Sequence, residues 1–226
     1  MSFTTALPLR LVIFDCDGVL VDSEGPSNRA LAEEITKLGW PMDEAESTRR
    51  FIGYQLRDIA PVVEAHLGRP VPPGWVEELR RRMVDVLARE VEPMPGIADV
   101  LASVAALGLT CRVASNSSMR EMRVKFARTG LSRLLERAHS AYDVANAKPA
   151  PDVFLAAAAA EDVPPGACVV VEDSVPGATG AAAAGMACIG LDVYGDGAEL
   201  AAAGAHVIHH LSELPPLLRS AMRRAA

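Results

Sequence analysis

The sequence predicts an α/β fold: a Rossmann-like parallel sheet core with an inserted helical cap domain. Three observations carry this. Short apolar runs rich in β-branched residues recur along the 226 residues. Helical patterns separate most of these runs. One long stretch after the first run contains no good strand. Strands that alternate with helices pair in parallel, because each crossover returns the chain in the same direction.

The first run is "RLVIFD" (10–15). From about Ser23 to Glu92 only helix patterns follow, near 27–38, 43–51, 55–67 and 74–90, broken by "LGWP", "IGY" and "GRPVPPG". The connectors "DSEGP" and "EPMPG" carry the Gly and Pro of domain junctions. The expected division is therefore residues 1–22 and 93–226 as the α/β catalytic core, and 23–92 as a helical cap. "IADVLASVAALG" (97–108) has helical spacing, Pro95 before it and Gly108 as its stop. "TCRVASN" (110–116) is the next strand, and "SMREMRVKFARTG" (118–130) and "PDVFLAAAAAED" (151–162) are helices. "ACVVVED" (167–173) and "MACIGLD" (186–192) are strands, with "AHVIHHL" (205–211) a weaker fifth. The small residues of "GATGAAAAG" (177–185) suit close helix–sheet packing, and their glycine spacing is not that of a dinucleotide fingerprint.

Composition narrows the function classes. A formal net charge of −7 disfavours nucleic acid as the main partner. Four cysteines with no C-x-x-C pair read as reduced thiols, and no apolar run is long enough to span a bilayer. A soluble, cytoplasmic protein with no membrane partner, and a monomer, is expected. Lys37, Lys125 and Lys148 are the only lysines among 22 basic residues. Where arginine is used almost everywhere, a lysine points to a requirement.

Polar residues collect where the strong runs end. The first ends at Asp15 and continues to Asp17; the second ends at Ser115 and Asn116; the third ends at Glu172, Asp173 and Ser174. In open α/β sheets, ligands bind at the carboxyl ends of strands, so these distant residues should meet. "NAKPAPDVF" (146–154) places Lys148 just before a helix start. Clustered carboxylates repel, and burying one unpaired is costly. A hard divalent cation among Asp15, Asp17, Glu172 and Asp173 resolves this, and Mg²⁺ also binds substrate phosphate. Lys148 and Ser115 then add a charge and a donor for a phosphate dianion, with Asn116 a further candidate phosphate contact. In such a site Asp15 attacks phosphorus, and Asp17 protonates the leaving oxygen and later takes a proton from water.

"FDCDGVLVDS", "VASNS", "KPAPDVF" and "VVEDS" resemble, in order, the four motifs of the haloacid dehalogenase-like phosphohydrolases. The helical insert is similar to that family's helical cap, and the nearest branches are the β-phosphoglucomutase-like and 6-phosphogluconate-phosphatase-like ones. The resemblance implies Asp15 as nucleophile, Asp17 as acid/base, and Ser115 and Lys148 as phosphate ligands. It also implies Mg²⁺ held by the Asp15 carboxylate, the Asp17 carbonyl and Asp173, with Glu172 direct or through water. The implied activity is hydrolysis of a small phosphorylated metabolite through an aspartyl-phosphate.

Plainer readings exist for each piece. Asp-Gly alone is a turn signal, Ser115 with Asn116 would cap the following helix, and Glu172 with Asp173 suits a helix N-terminus. An EF-hand is excluded, because the glycine comes too early and no Glu closes the loop. His209 and His210, on the weak last strand, read as structural or surface residues, and "RRR" (80–82) as a solvated helix face. Tyr54, Gln55 and Arg57 are candidate substrate contacts from the cap. The resemblance leaves open a phosphosugar mutase, or a phosphate-binding member without turnover. Mutases of this family carry a cap histidine where this chain has Ser27, and an arginine where it has Leu56. Both departures weaken the mutase reading.

Overall fold

The computed structural model describes residues 3–51, 56–193 and 195–223. The chain forms two compact units, Met1–Val21 with Pro93–Ala226, and Asp22–Glu92.

The first unit is built on six parallel strands: β1 (Leu11–Phe14), β4 (Thr110–Ser115), β5 (Ala138–Ser140), β6 (Cys168–Glu172), β7 (Ala187–Leu191) and β8 (His206–Ile208). Their order across the sheet is β5-β4-β1-β6-β7-β8. The chain winds outward from β1 in one direction, then returns to β6 and winds the other way. This is the doubly wound arrangement, with its switch point between β1 and β6. The register aligns Phe14 with both Val113 and Val171, so the strand ends of β1, β4 and β6 lie level.

All four residues of β1 and all five of β6 are buried. That is why both read as unbroken apolar runs: helices cover both faces of a parallel sheet. Phe154, Val153 and Ala157 of α7 (Asp152–Ala159) and Ala178 and Ala181 of α8 (Val175–Ala183) pack with Leu11, Ile13 and Val170 in one cluster. Each large side chain fully buried there contributes about 1.5–3 kcal/mol.

The second unit contains α1 (Glu24–Lys37), α2 (Glu44–Phe51), α3 (Leu56–Leu67) and α4 (Trp75–Glu90). Its own core holds Leu31, Ile35, Trp40, Phe51, Ile59, Val63, Trp75 and Leu79. Short strands β2 (Val21–Asp22) and β3 (Glu92–Pro93) pair where the chain passes between the units. The remaining helices are α5 (Ile97–Ala106), α6 (Met119–Thr129), α9 (Ala198–Ala202) and α10 (Leu214–Arg223).

Two local expectations change. His209 and His210 lie just beyond β8, exposed, with the His209 ring Nδ1 2.7 Å from the Asp192 carbonyl. Arg82 is not simply solvated: its guanidinium pairs with Glu33 and Glu34 of α1. The four cysteines are free thiols. Among the described residues no helix is long and apolar enough to cross a membrane.

Candidate active site

Strand β1 ends at Phe14, and the next backbone N–H, that of Asp15, still donates to the Val171 carbonyl at 2.9 Å. Asp15 therefore stands at the switch point beside Glu172, the last residue of β6. Lys148 lies between them. Its Nζ donates to Asp15 Oδ1 at 2.5 Å, to Glu172 Oε1 at 2.5 Å and to the Ala114 carbonyl at 2.8 Å. The three donors of the ammonium thus tie together β1, β6 and β4, and the Phe154 ring centroid lies 5.0 Å away on another side.

Glu172 is fully buried, and its second oxygen is also engaged. Oε2 accepts from the backbone N–H groups of Asp173 and Ser174 at 3.1 Å each, and from the Ser174 hydroxyl at 2.8 Å. Ser174 caps α8 by accepting from Gly177 N–H. A side chain at Gly177 would begin 1.9 Å from the Glu172 carboxyl carbon, so only glycine lets this carboxylate lie against the first turn. Gly18 has φ +71°, and a Cβ there would sit 1.8 Å from Asp173 Oδ2. The turn after Asp17 is thus shaped to receive the Asp173 side chain.

Asp15, Glu172 and Asp173 bring one oxygen each within 4.8 Å of one another. Lys148 is paired with two of these three carboxylates, Asp15 and Glu172. Burial pushes Asp15 up, to about 7, with Lys148 opposing and Glu172 and Asp17 adding to the rise. Burial also disfavours the charged form of Lys148, but Asp15 and Glu172 more than offset this and hold it above its ordinary range. A compact set of hard carboxylate oxygens fits a divalent cation.

Asp17 is neutralised separately. Lys125 of α6 donates to Asp17 Oδ1 at 2.7 Å and to Oδ2 at 2.8 Å. Its third donor goes to Ser117 Oγ at 2.8 Å, and Ser117 Oγ donates to Asp17 Oδ2 at 2.8 Å. The Lys125 side chain is almost wholly buried. Burial lowers the proton affinity of its ammonium, but Asp17 outweighs this and raises it. The Asp17 carboxylate accordingly stands outside the acidic cluster.

Ser115, buried at the end of β4, accepts the Ser117 N–H at 3.0 Å. Exposed Asn116 accepts the Lys148 backbone N–H at 3.1 Å and braces that loop. Neither caps the next helix. Ser118 does, in a capping box with Glu121. Tyr54, Gln55 and the side chain of Arg57 lie outside the described residues. Ser117 and Lys125 are the partners that motif reading missed. Lysine scarcity was the one signal: two of the three lysines are buried here, and Lys37 lies on the surface paired with Glu34.

Comparison with known proteins agrees with this geometry. The sequence profile of the haloacid dehalogenase-like hydrolases matches residues 9–185. The 6-phosphogluconate phosphatase of Escherichia coli K12 is 28% identical over 214 residues, covering 94% of this chain and 96% of that protein. A haloacid dehalogenase-like protein of unknown function from Agrobacterium tumefaciens superposes with a TM-score of 0.84 at 33% identity, over 94% of this chain and 98% of the other. A hydrolase of the same family from Deinococcus radiodurans, solved with bound phosphate and sodium, gives 0.82 at 30% identity, over 95% and 96%. The profile match over residues 9–185 shows the family: the chain belongs to the haloacid dehalogenase-like hydrolases.

Proposed function

We propose that the protein is a Mg²⁺-dependent phosphatase of small phosphorylated metabolites that works through an aspartyl-phosphate on Asp15. The observation that carries this is the pairing of a buried carboxylate at a strand end with a lysine shared by Glu172. In this reading Asp15 Oδ bonds to phosphorus as the ester oxygen departs. Asp17 gives that oxygen its proton, then accepts one from the water that releases phosphate. Ser115 and Lys148 hold the phosphoryl oxygens. Asn116 supports them through the Lys148 backbone.

The Asp15 carboxylate, the Asp17 carbonyl and Asp173 would hold the ion, which when bound offsets the charge of the phosphoryl group. Glu172, whose oxygens already accept from Lys148 and the Asp173–Ser174 turn, acts through water. Residues 23–92 serve as the cap that excludes water in the first step, and Tyr54, Gln55 and Arg57 contribute to substrate choice. Ser27 and Leu56 favour hydrolysis over the mutase reaction. The relatives' substrates support a phosphorylated sugar acid or sugar: the E. coli relative is a 6-phosphogluconate phosphatase.

A panel of sugar phosphates, phosphoglycolate and 6-phosphogluconate, assayed with and without Mg²⁺, tests this. Phosphate release is expected only with the metal. Mg²⁺ at 100 times its dissociation constant should also raise unfolding free energy by about 2.7 kcal/mol. Asp173→Asn should weaken that stabilisation. Metal-independent release, or no stabilisation, contradicts the proposal.

A further inference from the structure

The Asp17–Lys125–Ser117 cluster joins residues 100 and 108 positions apart in sequence. Its polar contacts close a triangle. Lys125 Nζ reaches both Asp17 oxygens and Ser117 Oγ, and Ser117 Oγ reaches Asp17 Oδ2. Ser117 is itself anchored on both sides: its N–H donates to Ser115 Oγ at 3.0 Å, and its carbonyl accepts from Ser140 Oγ at 2.8 Å. Lys125 is fixed by α6, whose first turn is held by the Ser118–Glu121 capping box. A buried ammonium is expensive to hold. Stability alone would be served as well by packed apolar side chains in place of the whole Lys125–Asp17 pair. The pair instead directs one particular carboxylate.

We propose that Lys125 and Ser117 are positioning residues that aim the Asp17 carboxyl group at the departing ester oxygen. This rests on the reading of Asp17 as acid/base given above. In the first half-reaction the Asp15–phosphorus bond forms and the ester P–O bond breaks. The Asp17 proton moves to the departing oxygen. In the second, water oxygen bonds to phosphorus, its proton returns to Asp17, and the Asp15–phosphorus bond breaks. The first transfer matters only when the leaving oxygen is basic. Alkyl and sugar phosphates need it, whereas a dinitrophenolate departs without a proton.

The test compares kcat/KM for an alkyl phosphate and for 2,4-dinitrophenyl phosphate, using the full chain with Mg²⁺. Lys125→Met should lower the value for the alkyl ester by roughly 10- to 100-fold, and for the aryl ester by less than about 3-fold. Ser117→Ala should show the same selectivity with a smaller loss, and it answers the question if Lys125→Met does not fold. In an Asp17→Asn background, Lys125→Met should cost the alkyl ester nothing further. Equal losses on both esters, or an undiminished loss in the Asp17→Asn background, overturn the positioning role while leaving the phosphatase reading intact. A wild-type protein inactive on both esters overturns both.

Discussion

Asp15→Asn is expected to lower phosphate release by about 10⁴-fold or more with the fold intact. The amide keeps the shape of the carboxylate but is not a nucleophile. Each factor of ten corresponds to about 1.36 kcal/mol of barrier, so the loss amounts to about 5.5 kcal/mol. Stability should change little, because Lys148 retains Glu172 and the Ala114 carbonyl as acceptors. Burial already pushes Asp15 up, so replacing it removes a costly charge from the core. Steady-state phosphate release together with urea unfolding checks both halves. Unfolding of Asp15→Asn at much lower urea would mean that the Lys148–Asp15 pair is chiefly structural.

Lys148→Met should damage stability as well as activity. It removes the one ammonium between Asp15 and Glu172, and Glu172 has no access to water. Breaking a buried pair by deleting one partner costs about 3–5 kcal/mol, because the remaining charge is left uncompensated. Adding Glu172→Gln removes one of the stranded charges. The double variant should therefore lose less than the sum of the two single losses, by about 0.5–3 kcal/mol of coupling. Activity should not return in either, since the phosphoryl oxygens lose their cation. Additive losses in the unfolding measurement would contradict the shared-lysine account.

Much of the fold was legible because buried parallel strands are continuous apolar runs. "RLVIFD" and "ACVVVED" became β1 and β6, whose residues are inaccessible on both faces. Edge strands carry a weaker signal. β5 is only "AHS", and nothing in three mixed residues distinguishes it from a loop. α10 has no counterpart among the expected elements; its first turn holds Pro215 and Pro216, where proline is well tolerated. The plainer reading of Ser115 and Asn116 as the cap of α6 fails, because Ser118 and Glu121 carry the S-x-x-E spacing.

In the site, Asp15, Lys148, Glu172 and Asp173 were legible from carboxylates at strand ends and one lysine before a helix. The Lys125–Asp17 pair was not. No local pattern encodes a contact between residues 108 positions apart, and a lysine within a helix looks like any solvated one. Its scarcity was informative, but only coordinates supply the partner. Glu172 is similar: sequence shows an acid, whereas the structure shows both oxygens occupied by Lys148 and the start of α8.

On this mechanism the phosphoryl group passes through Asp15. Rapid acid quench during turnover with Mg²⁺, followed by peptide mass analysis, tests it most directly. The expected result is an acid-stable, hydroxylamine-labile phosphoryl group on the peptide containing Asp15, formed and lost within the turnover time. Full turnover with no phosphoryl group on that peptide, or with one on another residue, contradicts it.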